Sequence, residues 1–193
     1  MRRALFILML TVAGCAGVPR APEPVDWSLR KAQLTELQSW RMAGSVAVSV
    51  DGEGASARID WRQSGQTSDL SLSGPLGVGA LRAVLDANDL SLEDGSGDSL
   101  HGDDARAVLS ERLGTDLPLA ALRYWVLGVP EPGSAARESI GPDGRPESIE
   151  QAGWLVTIGR YSTVGADGLP TRLVATRGGA RIKLSVSRWE LVK

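Results

Sequence analysis

One cysteine and one histidine in a chain of 193 residues leave little room for site chemistry. Cys15 has no partner within the chain, so no intrachain disulfide forms. Zinc sites of the His/Cys type need three or four such ligands, which the sequence cannot supply, so no metal is expected. His101 lies in "SLHGDD", a polar turn ahead of a helical segment, with no nucleophile and acid placed around it. The acid pairs in "EDGSGD" and "HGDD" lack the spacing of a calcium loop and read as turn chemistry. "GVG" and "RGGA" are not followed by the Lys-Ser/Thr pair of a phosphate loop. Asp and Glu are plentiful, but nothing in their spacing marks a glycosidase-like pair. No catalytic residue is assigned, no cofactor is expected, and the chain reads as a non-enzyme. Twenty-one Lys and Arg against 23 acids give a net charge of −2, with no basic run. That excludes nucleic acid as a partner, because phosphate binding needs clustered cations. Phe and Tyr are also scarce, at one and two, whereas Trp occurs six times.

What the sequence does have begins at its first residues. "MRRALFILMLTVAGC" places Arg2 and Arg3 before an uncharged, mostly apolar stretch from Ala4 to Gly14. A bilayer span needs about 20 apolar residues, so this shorter run reads as a targeting segment. "VAGC" at its end resembles the lipobox of bacterial lipoproteins, in which the signal is cut before the cysteine and the cysteine is acylated. The alternative is an ordinary secretory signal beside a lone cysteine; the ordered combination of features favours the lipobox. Cleavage removes Arg2 and Arg3 and leaves the mature chain more acidic still. A chain of that overall charge gains no electrostatic help towards anionic lipid, so attachment must come from acyl chains on Cys15. Ala16 stands where an Asp commonly marks inner-membrane retention, which favours the outer membrane. The expected division is a signal peptide over 1–14, a lipidated N-terminus and Pro-rich tether over 15–26, and one domain over 27–193.

The domain alternates between two periods. "WSLRKAQLTELQSWRM" (Trp27 to Met42) reads as a helix capped by Ser28, with Leu29, Ala32, Leu37 and Trp40 near one face. From "SVAVSV" onward the period is two, with Val46, Val48 and Val50 on one side. "ARIDWRQ", "SDLSLS", "VGALRAVL" and "DLSLED" continue as strands joined by short turns such as "DGEG", the pattern of an antiparallel meander. "DDARAVLSERLG" and "TDLPLAALRYWVLG" are helical, the second with Asp116 as a possible cap, Pro118 in its first turn and Gly128 as its stop. Val129 to Gly153 is a long polar connection with room for a hairpin at "PDG". "WLVTIGRY", "LPTRLVATR" and "RIKLSVSRWELV" resume the strands. About nine strands for three helices is too much sheet to lie flat. It should curl over the helices, giving a mainly β (α+β) domain whose inner face either packs solid or encloses a cavity.

One stretch resists this bland reading. In "LSLSGPLGVGAL" (Leu70 to Leu81), Pro75 suits the first central position of a turn, which puts Leu76 at the tip with Gly77 after it. Turn tips project into water, where a bare leucine is out of place unless it folds back or meets another apolar phase.

The lipobox together with "GSVAVSV", "DWRQSG", "SGPLG", "LPLAALRYWVLGVP", "QAGW" and the closing "RIKLSVSRWELVK" resembles the LolB family of outer-membrane lipoprotein receptors. The segments run in the family's order from about residue 27 to the C-terminus. "SGPLG" alone is weak; the Trp-containing helix, "QAGW" and the terminal strand are more specific. The resemblance implies an incomplete, half-open antiparallel β-barrel with helices plugging a hydrophobic cavity. It implies a protein lipid-anchored in the outer membrane, facing the periplasm. Such a protein accepts acylated lipoproteins from the carrier LolA, holds their acyl chains and inserts them into the membrane without a cofactor. The protein is expected to be a monomer, with membrane lipid met through its own N-terminal acyl chains. On this resemblance Leu76, flanked by Pro75 and Gly77, matches the membrane-probing tip of a protruding loop. Candidate cavity residues on the strands are Val46, Val48, Ile59, Trp61, Leu70 and Leu72. Leu122, Trp125, Trp154, Ile182, Leu184 and Trp189 complete the set, and core packing is the competing role for each. Two other readings stay open: a lipoprotein subunit of an outer-membrane assembly complex with no lipid cavity, and a lipid hydrolase, which the single His101 disfavours.

Overall fold

The structure is a computed structural model that describes residues 25–74, 80–113, 115–162 and 168–192. Helix α1 (Trp27–Thr35) precedes strands β1 (Ser39–Val50), β2 (Glu53–Ser64), β3 (Thr67–Ser73), β4 (Leu81–Asp86), β5 (Asp89–Asp94) and β6 (Ser99–His101). Helices α2 (Gly102–Leu113) and α3 (Leu119–Trp125) follow, then β7 (Ala136–Ile140), β8 (Pro146–Gln151), β9 (Trp154–Tyr161), β10 (Pro170–Arg177) and β11 (Ala180–Leu191). All eleven strands join one sheet in the order β6-β5-β4-β3-β2-β1-β11-β10-β9-β8-β7. Its pairings are antiparallel, and β6 and β7 remain as edges, so the barrel is incomplete as expected. The chain leaves the sheet at edge β6 and rejoins it at the opposite edge β7. The segment between, carrying α2 and α3, therefore has to cross from one edge to the other.

The tight hairpins explain why the meander is so regular. Asp51 and Gly52 both take positive φ (51° and 91°), as do Ala152 and Gly153 (53° and 77°). Two left-handed residues match the twist of the strands they join. At the centre, β1 pairs with β11 in a register that slips between Ala43 and Gly44. A Cβ on Gly44 would lie 2.1 Å from the Ser185 carbonyl oxygen, so only glycine fits there.

Four expectations need correction. The helix expected over Trp27 to Met42 ends at Thr35, and Trp40 and Met42 belong to β1. Trp40 pairs with Gln63 and Leu191, and Met42 with Trp61 and Trp189, so partners on both sides outweigh local helical preference. Leu29, expected on the buried face, is 65% exposed. The helix cap is Asp26, whose carboxylate accepts the Leu29 N–H, not Ser28. Asp116 does not cap α3: its carboxylate accepts the Ser110 hydroxyl, and Pro118 holds the cap position. Gly128 ends that segment with φ 81°, and the long connection does hold a hairpin, β7–β8.

Two apolar clusters line the concave face. The larger gathers Trp40, Met42, Trp61, Trp125, Leu127 and Trp154 beneath α3 and the loop after it. The smaller, around Leu85, Leu90, Leu92 and Ala105, fixes α2 to one wing of the sheet. Among the described residues no helix is long and apolar enough to cross a membrane.

Candidate functional site: an apolar concave face with two unlike ends

Strand alternation sends Trp40, Met42, Val46, Val48 and Val50 of β1 to the concave side. Cross-strand partners extend this surface: Ile59 faces Leu72, Trp61 faces Leu70, Val46 faces Leu184, and Val48 faces Ile182. The two ends of the surface differ. At the end holding the β2–β3 turn, called here the tryptophan end, the face is filled. Trp40 and Met42 are each 1% exposed and Trp61 3%. The Trp40 ring lies 5.1 Å from Trp61 and 5.3 Å from Trp189 in tilted and edge-on contact. At the other end, which holds the β1–β2 and β10–β11 hairpins, every inward residue of β1 from Val46 onward is only half-buried. So are Leu72, Ala175 and Ile182, and Leu70, level with Trp61, is half-buried as well. Apart from Glu53, opposite Val50 at the hairpin, the inward residues of β1 and β2 at this valine end are aliphatic.

The tryptophans settle into packing through their N–H groups. A buried indole N–H needs an acceptor. Trp61 Nε1 donates to Gln63 Oε1, which also accepts the Ser68 hydroxyl. Trp125 Nε1 donates to Gln151 Oε1, which also accepts the Glu131 N–H. The Gln151 amide nitrogen returns two bonds, to the carbonyls of Glu131 and Ser134. Trp154 Nε1 donates to the Asp116 carbonyl, and Trp189 Nε1 to that of Pro170. Trp125, Trp154 and Trp189 thus tie one element to another, and Trp61 reaches β3 through Gln63 and Ser68. Among the described residues no buried side-chain polar atom lacks a partner.

The expected lining residues therefore fall into two groups. Ile59, Trp61, Trp125, Trp154 and Leu184 are buried in the large cluster. Val46, Leu70, Leu72, Leu122, Ile182 and Trp189 are partly exposed and pack against it, while Val48 is half-buried beyond it. Cys15, Pro75, Leu76 and Gly77 lie outside the described residues. Three cavities bounded by described residues sit elsewhere. One of about 170 Å³ opens at the tryptophan end beside Thr35, Leu37, Trp40, Arg123 and Tyr124. Its Arg123 is occupied, donating to the Gly65 carbonyl and the Tyr124 hydroxyl while lying over the Tyr124 ring. The others, about 530 and 380 Å³, are surface grooves beside α1 and the β8–β9 turn; Trp154 borders the second.

Sequence reasoning missed Trp40 and Met42 as concave residues because it placed them in a helix. It also missed Gln63 and Gln151. Glutamine is ordinarily exposed, and only the neighbouring indoles reveal why these two are buried.

The Outer membrane lipoprotein LolB family description matches residues 38–189. This chain belongs to the LolB family. The LolB protein of Halorhodospira halophila is 34% identical over 186 residues, covering 95% of this chain and 92% of that protein. That of Ectopseudomonas mendocina is 31% identical over 192 residues, covering 96% and 94%. Among solved structures, a Vibrio parahaemolyticus domain named for outer membrane lipoprotein sorting aligns with a TM-score of 0.50 at 12% identity, covering 84% of this chain and 89% of that one. That likeness bears on the fold alone. The LolB match covers both the Trp-packed end and the valine end, so the unlike ends belong to one family domain.

Proposed function

We propose that this LolB-family protein is a lipid-anchored receptor on the periplasmic side of the outer membrane that passes lipoproteins into it. Cys15 carries the acyl anchor, residues 1–14 are the signal, 15–26 are the tether, and the domain from 27 onward receives cargo from the periplasmic carrier LolA. The carrying observation is the valine end: a concave face that stays aliphatic and half-covered where the rest of the face is closed. Acyl chains need apolar surface without directional contacts, and such surface is what Val46, Val48, Leu70, Leu72, Leu122 and Ile182 offer. The buried Trp61, Trp125 and Trp154, with their N–H groups already bonded, act with Trp40 as the floor on which that surface rests. Leu76, between Pro75 and Gly77, is the tip that meets the membrane. The protein works as a monomer and by differential affinity, with no bond made or broken.

The test is reconstitution. Carrier-bound acylated lipoprotein is mixed with this protein, then with liposomes, and the lipoprotein is followed by co-purification and flotation. The reading predicts transfer first to the protein and then to the liposomes. Cargo that stays with the carrier would sink it. Leu76→Glu should accept cargo at the normal rate but release it slowly to liposomes.

A further inference from the structure

The outer face of the sheet is not as acidic as the whole chain. Residues 81–113, the wing under α2, carry eight acids against three arginines, whereas residues 154–188 carry six Lys or Arg against the single Asp167. On the convex side, Arg160 faces Arg172 across β9 and β10, Arg172 faces Ser185, Ser185 faces Ser45, and Ser45 faces Arg58. Lys183 and Arg181 occupy the next two outward positions of β11 towards the hairpins. All five cations are exposed, and none has a carboxylate partner among the described residues. Three other cations on this face are paired: Arg41 with Asp60, Arg82 with Asp69, Arg188 with Glu190. The acid beside Arg58 on β2, Asp60, is taken up by Arg41, while Asp51 and Glu53 lie at the β1–β2 tip, where Glu53 shares the concave parity of Val50. Arginines set opposite each other without an acid between them cost stability, so the fold itself gains nothing from the arrangement.

We infer that this convex patch, centred on Arg58, Arg172, Arg181 and Lys183, docks on an anionic phospholipid surface and turns the valine end towards the membrane. Two features favour lipid over an acidic protein. The cations flank the same end of the sheet at which the aliphatic concave residues are half-exposed and from which the β3–β4 connection leaves. Cations beside apolar surface are the signature of interfacial binding. The tether also fails to orient the domain by itself. Eleven residues reach about 35 Å if extended, and they enter at Val25, bonded to Asp143 at the tryptophan end. Something at the other end has to choose which way the domain faces. The net charge of −2 therefore misleads, because a surface feels charge within about a Debye length of it, not the sum over the chain. This inference rests on the membrane-side location proposed above, though not on cargo binding.

The test uses the unacylated mature chain, residues 16–193, which keeps every described element. Sedimentation with phosphatidylcholine vesicles is compared with vesicles containing about one-third phosphatidylglycerol. Binding is expected only to the second and should fall steeply as salt rises from about 0.1 to 0.5 M. A triple variant, Arg58→Gln, Arg181→Gln and Lys183→Gln, should lose roughly 100-fold in partitioning, about fivefold per cation. A control with the same charge change on scattered residues, Arg30→Gln, Arg137→Gln and Arg188→Gln, should lose less than about fivefold. Equal binding to both vesicles, or equal losses in the two variants, would overturn the inference. So would capture by an acidic protein without vesicle binding. Uptake of a fluorescent acyl probe in solution, unchanged in the triple variant, reports the cargo reading separately.

Discussion

The tryptophan end and the valine end are built from the same strands, yet one is finished and the other is not. Trp40, Met42 and Trp61 lie on neighbouring positions of β1 and β2, and the indole N–H groups of Trp61 and Trp189 beside Trp40 find acceptors. Six residues further along β1, the inward positions carry only Val46, Val48 and Val50, which have no polar handle and are half-covered. The difference teaches where rigidity and openness are kept in a small sheet. Large side chains with directional bonds fix the curl, and branched aliphatics without them leave a surface a flexible chain can enter.

That comparison can be broken by experiment. Trp40→Ala should have the largest effect, destabilising the fold by about 3–5 kcal/mol in urea melts, because it opens a void between the Trp61 and Trp189 rings. If it cost no more than a valine-end truncation, the contrast would be lost. Gln151→Ala comes next, at about 2–3 kcal/mol, since it strands the Trp125 N–H and the Glu131 N–H beneath the sheet. Tyr161→Phe should cost about 1–2 kcal/mol by leaving the Pro146 carbonyl unpaired. Burial, and then Asp143, push the Tyr161 phenol above its ordinary value. The stability it contributes is therefore present below the unfolded tyrosine value near pH 10 and is lost as pH rises towards its folded value. Val48→Ala should cost less than about 1.5 kcal/mol, but weaken binding of a fluorescent acyl probe several-fold. Equal probe binding would mean that the valine end is not the lining. The smallest effect belongs to Asp69, whose carboxyl is held below the usual range by the hydrogen bond from Arg82. Its contribution is present above the unfolded carboxylate value near 3.9 and is lost as pH falls through the lower folded one. Asp69→Asn should flatten that acid limb slightly.

Much of this fold was legible because the strands are short, alternating and joined by their sequence neighbours. Val46, Val48, Ile182 and Leu184 share a face by parity alone, and parity is visible in sequence. What was not legible depended on partners far away in the chain. Trp40 reads as helical until Leu191 and Gln63 are placed beside it. Gln151 reads as solvent-facing until Trp125, 26 residues earlier, turns its N–H towards it. The cationic face was hidden for a related reason. Arg58, Arg172 and Lys183 are distant in sequence, and only the register of four strands sets them together. The core of the concave face and the aliphatic opening were named together as one list. Separating them required burial, which parity does not encode.

The pairing of β1 with β11 has a consequence for how the molecule comes into being. Ser187 donates its hydroxyl to the Ala43 carbonyl across 144 residues, at the middle of the sheet. The seam that joins the two halves is therefore the contact with the greatest separation along the chain. Each wing can zip locally, hairpin by hairpin, but the halves meet only once β11 has arrived. A chain delivered N-terminus first would carry β1 with one edge bare throughout its passage, and joining the halves late is a slow, long-loop step. For that interval the exposed edge of β1, with Val46 and Val48 beside it, needs shelter from other chains until its own last strand covers it.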